Sequence, residues 1–520
     1  MKSFRFLLLL CCCFPFSLLA QQPNVLLIIT DDIGVDPMPG YTPNSGAQKA
    51  QMPNLQALAD SGLTFDNVWA NPLCSPSRAA MLTGKYGFRT GVLNPTDMAR
   101  ISRDENTLHA YLDSASNYAQ SLIGKWHLGG GLNGNYDYPL DMGIDYFAGI
   151  MNGGVDDYFS WPLVQNSQES TDTTYITSKF TDLAIDWIQS QTQPWFCWLA
   201  YNSAHTPFHL PPPDMHSQVG LSGDSAAVAN NPLPYYLAMV ESLDHELGRL
   251  LDSIPQSMID NTVIIFVGDN GTPRQVVQNP YRRAESKGSL YEGGIAVPMI
   301  ISGAGVDRKG EHEPALVSVV DLFPTIVEMS GVSAPSVNDG FSFYHLLSQA
   351  GSGTRNCAYA EIQQGTPESG YTVRDDTFKL IVFDSLAWEF YDLVADPYED
   401  NELLTSGVPL TAAQTAAYQR LSTVFDDSAT ACIFPSSLNT SQEQSFREAG
   451  LQVYPNPVED QLYIRSDLAA PIEAVIYDLQ GRRIESLNLQ PGKNELDLQN
   501  WPSGIYVLVS EYGREKFVKY

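Results

Sequence analysis

Cys74 opens the run Cys-Ser-Pro-Ser-Arg-Ala-Ala-Met-Leu-Thr-Gly, and the residues behind it prescribe its surroundings. Pro76 suits the first turn of a helix, where a missing N–H costs nothing. Ala79-Ala80-Met81-Leu82 is good helix former, which places Cys74 just before or at a helix N-terminus. Free N–H groups and the positive end of the helix dipole favour a bound anion there. Arg78 follows four residues on, and the helix pitch returns its guanidinium to the face that carries Cys74. The plain alternative is a buried cysteine ahead of an ordinary amphipathic helix. Two further pairs, Asp31-Asp32 and Asp269-Asn270, each follow an apolar run. Taken alone, Asp31-Asp32 reads as a cap or turn after a strand. Together the pairs supply four hard oxygen side chains, which suit Ca²⁺ or Mg²⁺, and no His or thiolate cluster points to zinc. Asn270-Gly271-Thr272 also fits a glycosylation sequon, but a metal ligand cannot carry a glycan.

The elements that must hold these residues alternate between strand-like and helix-like runs, the pattern of an α/β protein with a doubly wound sheet. Buried parallel strands are predicted at Asn24–Thr30, Tyr118–Ile123, Trp195–Tyr201, Thr262–Gly268 and Val297–Ser302. Helices are predicted at Asn54–Ser61, Ile176–Gln189 and Tyr235–Ser253. In such folds ligands sit beyond the carboxyl ends of the strands, and the acidic pairs fall there. So do Lys125 and His127 after the second run and His205 after the third. In isolation, Lys125 reads as a surface lysine and His127 as a satisfied core histidine. From about Arg355 the pattern changes to shorter alternating strands, including Thr377–Phe383 and Glu389–Leu393, the mark of a smaller antiparallel subdomain. A polar stretch then precedes a final block of short strands with Gly and Pro turns, which reads as a separate β-sandwich.

Composition bounds the partners. A formal net charge of −30 argues against nucleic acid or an acidic membrane surface. It also repels a polyanion at long range, so any anion site must be a local cationic pocket in a field screened over about 10 Å. Lys2 and Arg5, the apolar run to Ala20 and polar Gln21-Gln22 read as a secretory signal peptide over 1–20. Cys11-Cys12-Cys13 invites a lipoprotein reading, but Leu10 is bulky where lipidation wants a small residue. Removing these three from seven cysteines leaves Cys74, Cys197, Cys357 and Cys432, too few for a disulfide framework. Cys357 with Cys432 is one pairing an exported protein could form. No later segment is long and apolar enough to cross a membrane.

The stretch Leu73–Gly84 resembles the signature of the type I sulfatases, Cys-x-Pro-Ser-Arg followed by Leu-Thr-Gly. Further elements resemble the same family in the same order: Gly124-Lys125-Trp126-His127-Leu128-Gly129, Asn202-x-x-His205-x-Pro207, Asp269-Asn270-Gly271, and Lys287-Gly288-Ser289-Leu290-Tyr291-Glu292-Gly293-Gly294. The resemblance spans about Pro23 to Leu404 and implies an alkaline-phosphatase-like fold. It also implies that Cys74 is oxidised to formylglycine, by a formylglycine-generating or an anaerobic sulfatase-maturating enzyme. One Ca²⁺ would lie on Asp31, Asp32, Asp269, Asn270 and the modified Cys74. Arg78, Lys125 and Lys287 would neutralise the sulfuryl oxygens. His127 would assist the hydrated formylglycine, and His205 would protonate the leaving oxygen. His209 lies off the motif and reads only as a substrate contact. Trp126, Tyr136, Tyr138, Asn152 to Asp157 and Trp161 stand where substrate subsites could form, with core packing as the alternative for the aromatics.

The last block, with Val453-Tyr454-Pro455-Asn456-Pro457, Ile476–Arg482 and Ser503–Val509, resembles the C-terminal sorting domain of the type IX secretion pathway. A carbohydrate-binding or spacer sandwich is the alternative. The expected organisation is a signal peptide 1–20, a sulfatase domain 21–435 with its smaller subdomain from about 355, a linker 436–450 and a sorting domain 451–520. The expected activity is sulfate removal from an extracellular sulfated carbohydrate or aryl sulfate, by a protein exported through the periplasm and secreted or kept at the surface. A phosphonate or phosphodiester hydrolase on the same scaffold, and a non-catalytic glycan-binding surface protein, are the competing readings.

Overall fold

The computed structural model describes residues 22–422 and 450–519, apart from 44, 97–98, 130–134, 333–338, 352, 354, 386, 455–457, 459, 479–482, 502–503 and 511–512. The expected signal peptide, all but the last residue of the expected linker, Cys432 and Pro455-Asn456-Pro457 lie outside the described residues.

Ten strands form the central sheet: β1 (Asn24–Thr30), β2 (Gly62–Trp69), β3 (Ala119–Lys125), β4 (Tyr146–Ile150), β5 (Trp161–Gln165), β6 (Gln168–Asp172), β7 (Trp195–Ala200), β8 (Thr262–Gly268), β9 (Met299–Gly303) and β10 (Glu311–Ser318). Their order is β10-β2-β9-β8-β1-β7-β3-β4-β5-β6. All seven residues of β1 are buried, as a strand covered on both faces requires. Val25, Leu27 and Ile29 point into one core and Leu26 and Ile28 into the other. Fully burying each such side chain contributes about 1.5–3 kcal/mol. Helices α2 (Cys74–Thr83), α3 (Leu108–Ala115) and α6 (Leu322–Met329) cover the first face. Helices α1 (Pro53–Asp60), α4 (Ile176–Gln189) and α5 (Leu233–Ser253) cover the second. The α/β, doubly wound expectation is met.

The expectation of five parallel strands needs one correction. Strands β8, β1, β7, β3 and β4 are mutually parallel, but β9, built from the run Val297–Ser302, is antiparallel to β8 and β2. A buried apolar run carries no directional signal, so its direction could not be read from composition. The reversal has a consequence for the site. Because β9 starts at the edge where β1, β3, β7 and β8 end, the segment before it, containing Lys287, is delivered to that edge. Strand β2 runs parallel to β10 and antiparallel to β9, so it also ends there and leads into α2.

The smaller subdomain is an antiparallel sheet, β11 (Ala358–Ile362), β12 (Gly370–Arg374), β13 (Phe378–Phe383) and β14 (Trp388–Asp392), in that order. Tyr359, Val373, Leu380 and Phe390 join the first core. Cys357 is disulfide-bonded, and Cys74 and Cys197 carry free thiols. From Leu451 onward, a three-stranded and a four-stranded antiparallel sheet share a core that includes Leu462, Ile464, Ile476, Leu508 and Phe517. This is the predicted sandwich.

Candidate active site

Helix α2 begins at Cys74, with Leu73 as its extended N-cap, and Gly84 ends it in the left-handed region at φ 66°. The expected helix start therefore holds to the residue. Every residue of α2 is buried, so the N-terminus and its N–H groups lie inside the molecule at the sheet edge. The Cys74 Sγ is 3.4 Å from His127 Nδ1. Burial pushes the Cys74 thiol up, against the opposing pull of Lys125, so it is not an activated thiolate of the kind a cysteine nucleophile needs.

Arg78 does return to that face. Its Nε and Nη2 donate to Asp269 Oδ2 at 3.0 and 2.8 Å, and its Nη1 donates to the Lys125 carbonyl. Lys125 Nζ donates to Asp31 Oδ2 at 2.5 Å, and Lys287 pairs with Asp32. The main chain knits the same groups together. The N–H of Asp32 donates to Asp269 Oδ1, Asn270 Nδ2 donates to Asp32 Oδ1, and the Asp31 N–H donates to the Ser203 carbonyl. Burial raises Asp32, but Lys287, His205 and Lys125 outweigh it and leave its carboxyl below the ordinary range. Asp269 moves the other way, with burial and Asp31 raising it against Arg78. For Lys287, the fields of Asp32 and Asp31 overcome burial and hold the ammonium charged.

The two histidines face this cluster with defined tautomers. His127 Nε2 lies 3.0 Å from the Pro95 carbonyl, which can only accept, so Nε2 carries the proton. Burial, with Lys125 and Arg78 adding to it, drives His127 well below its usual pKa. The ring is therefore neutral and presents the Nδ1 lone pair to position 74. His205 Nδ1 donates to the Thr206 carbonyl at 2.8 Å, and its Nε2 stands 4.0 Å from Asp32 Oδ2. Both Asp32 (φ 63°) and His127 (φ 55°) sit in the left-handed region. Such backbone costs roughly 1–3 kcal/mol per residue and concentrates at functional sites.

The oxygens of this cluster form a donor set for a divalent cation. Asp31 Oδ1 and Asn270 Oδ1 are buried oxygens with no hydrogen-bond partner among the described residues, and buried acceptors are normally satisfied. Asp31, Asp32 and His205 offer ligand atoms within 4.8 Å of one another. Hard oxygens left open beside paired carboxylates fit Ca²⁺ or Mg²⁺. Asp269 commits both oxygens, one to the Asp32 N–H and one to Arg78.

All ten residues singled out in the sequence thus meet at one sheet edge. One neighbour, Tyr158, was missed, and Gly153 and Gly154, part of the Asn152 to Asp157 stretch offered as substrate subsites, pack on the imidazoles instead. Ideal Cβ atoms on Gly153 and Gly154 would lie 2.3 Å from His127 Cε1 and 3.0 Å from His205 Nδ1, so this pair packs directly on the two imidazoles. Tyr158 Oη donates to the His205 and Asn202 carbonyls. The Gly-Gly pair was a legible signal of close approach; Tyr158 carried none. Of the aromatics offered as subsites, Trp126, Tyr138 and Trp161 are each 1% exposed and belong to the core. Tyr136 is 39% exposed. His209 packs on Tyr158 and accepts from Tyr175 Oη rather than reaching the cluster.

The family model described as Sulfatase matches residues 23–332, more than half of the chain. The chain belongs to the sulfatase family. A second model, N-sulphoglucosamine sulphohydrolase, C-terminal, matches 285–423, and a Secretion system C-terminal sorting domain matches 452–520. The chain is similar to human N-acetylgalactosamine-6-sulfatase, 30% identical over 61% of this chain and 63% of the relative. It is also similar to human arylsulfatase A, 30% identical over 65% and 70%. The alignment spans somewhat less than two thirds of the length of the first of these relatives. Among solved structures, Ps i-CgsB in complex with k-i-k-neocarrahexaose superposes with a TM-score of 0.67 at 24% identity, over 81% of this chain and 97% of that one. The phosphonate monoester hydrolase of Agrobacterium radiobacter gives 0.58 at 19%, over 78% and 95%. These two likenesses concern the sulfatase fold alone.

Proposed function

We propose that this sulfatase-family chain is a sulfuric ester hydrolase that removes sulfate from an extracellular sulfated carbohydrate or aryl sulfate. The observation that carries the reading is the convergence on Cys74. A helix N-terminus, three cations and a neutral imidazole with its lone pair toward position 74 provide for an anion and a base beside a nucleophile, while burial disfavours the Cys74 thiolate itself. Oxidation of Cys74 to formylglycine would supply a hydrated aldehyde, whose hydroxyl is the nucleophile. Asp31, Asp32 and Asn270, with Asp269 behind them, would hold a Ca²⁺ that acidifies that hydroxyl and orients a sulfate oxygen.

The chain's own residues do the remaining work. Arg78, Lys125 and Lys287 each rest against a carboxylate, so they are pre-oriented donors for the equatorial oxygens of a sulfuryl group. His127 Nδ1 accepts a proton from the substituent at position 74. His205, with Nδ1–H tied to the Thr206 carbonyl, turns Nε2 toward the cluster and in its imidazolium form is the acid for the departing oxygen. Gly153 and Gly154 close over both rings and keep their tautomers facing the cluster.

The test is to produce the protein with a formylglycine-generating or an anaerobic sulfatase-maturating enzyme and measure both the mass at residue 74 and sulfate release. Modified protein should turn over an aryl sulfate, and Cys74→Ala should be inactive while keeping its melting temperature. Full activity with an unmodified cysteine would refute the mechanism. The phosphonate or phosphodiester reading shares this scaffold, so parallel turnover of aryl sulfate and phosphodiester decides between them. The glycan-binding reading has no use for the strained, fully furnished site. The names of the relatives make sulfated hexosamines the first sugars to assay. The sorting-domain match supports type IX secretion, with release or retention at the surface after passage through the periplasm. No helix among the described residues is long and apolar enough to cross a membrane.

A further inference from the structure

The three cations of the site are each held by a carboxylate, yet two guanidiniums at its mouth are not. Arg274 and Arg283 are exposed, and neither forms an ion pair with a carboxylate among the described residues. Arg274 follows Asp269-Asn270 by a few residues. Its Nε donates to the Lys287 carbonyl at 3.4 Å. A Cβ built on Gly288 would lie 3.8 Å from Arg274 Nη2 and 3.9 Å from Leu73 Cδ2. The Gly288 N–H in turn donates to the Pro72 carbonyl at 2.9 Å. Gly288, the residue after Lys287, therefore touches both the Arg274 guanidinium and the segment that leads into Cys74. Arg283 Nη2 donates to the Gln275 carbonyl, one residue along from Arg274. Glu368, exposed on the turn between β11 and β12, senses the charge of Arg274 without pairing to it.

In a chain of net charge −30, an exposed guanidinium beside Lys287, with a second bonded one residue along from it and neither ion-paired among the described residues, is a local cationic feature open to an anion. The planar fork of arginine matches a carboxylate or a sulfate through parallel hydrogen bonds. We propose that Arg274, with Arg283 beside it, forms a second anion subsite that takes a further sulfate or carboxylate of the same glycan. The preferred substrate is then a polyanionic saccharide, and Arg274 is a specificity residue rather than part of the reacting cluster. A local cationic lip also answers the long-range repulsion that the acidic surface imposes on such a substrate. Turnover by this route rests on the sulfatase reading; binding at the subsite does not.

The experiment compares wild type with Arg274→Gln on an aryl monosulfate, a monosulfated hexosamine, a disulfated hexosamine and a monosulfated disaccharide bearing a uronate. Kinetics on the two singly charged probes should be unchanged. On the doubly charged probes KM should rise by about 10–100-fold with kcat held, the loss of one charge-assisted contact. The salt dependence of kcat/KM should weaken in parallel. The two doubly charged probes separate a sulfate-preferring lip from a carboxylate-preferring one. The same four probes are then titrated calorimetrically against Cys74→Ser protein with and without Arg274→Gln, which reads the subsite without turnover. Equal losses on every probe, or no loss on the doubly charged ones, would overturn the proposal. Absence of turnover by modified wild type on any sulfate ester would sink the hydrolase reading instead, and the calorimetric comparison would still decide the subsite.

Discussion

His127 shows how much a single residue is made to do here. Its φ of 55° aims the ring back at Cys74, the Pro95 carbonyl sets its tautomer, and the backbone of Gly153 lies against its edge. A methyl group at 153 would overlap the imidazole, so the ring must swing or the loop must lift. We expect Gly153→Ala to lower kcat on an aryl sulfate by about 10–100-fold, the cost of a displacement near 1 Å, with KM and melting temperature nearly unchanged. Undiminished kcat in that variant would show that the ring has slack. The orphan oxygens of Asp31 and Asn270 carry a second expectation. Stripping divalent cations with a strong chelator should remove activity and lower the melting temperature by roughly 3 °C if the ion was present at about 100 times its Kd. Restoring Ca²⁺ should recover both, and chelation that leaves both untouched would exclude these groups as ligands.

At the scale of elements, α3 docks on the sheet through a buried histidine that takes no part in the cluster. His109 Nε2 meets the Ser121 carbonyl at 3.3 Å, and its ring packs against Phe196 and Trp198. Burial lowers its pKa to about 4. Because the folded value lies below the ordinary one near 6.5, the unfolded chain binds the proton more tightly. His109 therefore contributes its full share of stability above pH 6.5, and that share is lost as pH falls toward 4. The loss is on the order of 3 kcal/mol. Asp36, raised by burial to about 6, works in the opposite sense, so the total curve mixes both. The difference in denaturation midpoint between wild type and His109→Gln isolates the histidine. That difference should shrink as pH drops from 7 to 4.5, and a constant gap would mean the ring titrates normally.

For the whole molecule, the residues that converge on the sheet edge all precede Gly294, whereas the sorting-domain match starts at residue 452. The last two sheets bury their own apolar cluster. A chain ended after Gly450 should therefore fold and retain its rate on a soluble aryl sulfate within about twofold. In the native host it should accumulate in the periplasm, and the exported full-length protein should lack the last block by mass. An intact tail on the extracellular protein, with normal export of the truncated one, would favour a binding module.

Much of this was legible before any coordinates. The alternation of apolar runs and amphipathic helices is local, so β1, α4 and the start of α2 could be read from neighbours in the chain. Most of the ten site residues were legible for the same reason, since they follow a strand end or lie in the first turns of a helix, whereas Lys287, in the segment before β9, stood out only through its motif. What they do to one another was not. Pairing of Lys125 with Asp31, Lys287 with Asp32 and Arg78 with Asp269 depends on which strand lies beside which, and strand order is a long-range property. The direction of β9 is the sharpest case. Apolar burial is indifferent to polarity, so only the assembled sheet decided that β9 runs backward, and that reversal brings Lys287 to the edge. Tautomers belong to the same class. A sequence does not say which ring nitrogen of a histidine carries the proton, and only the carbonyls of Pro95 and Thr206, placed by folding, make one of them a donor.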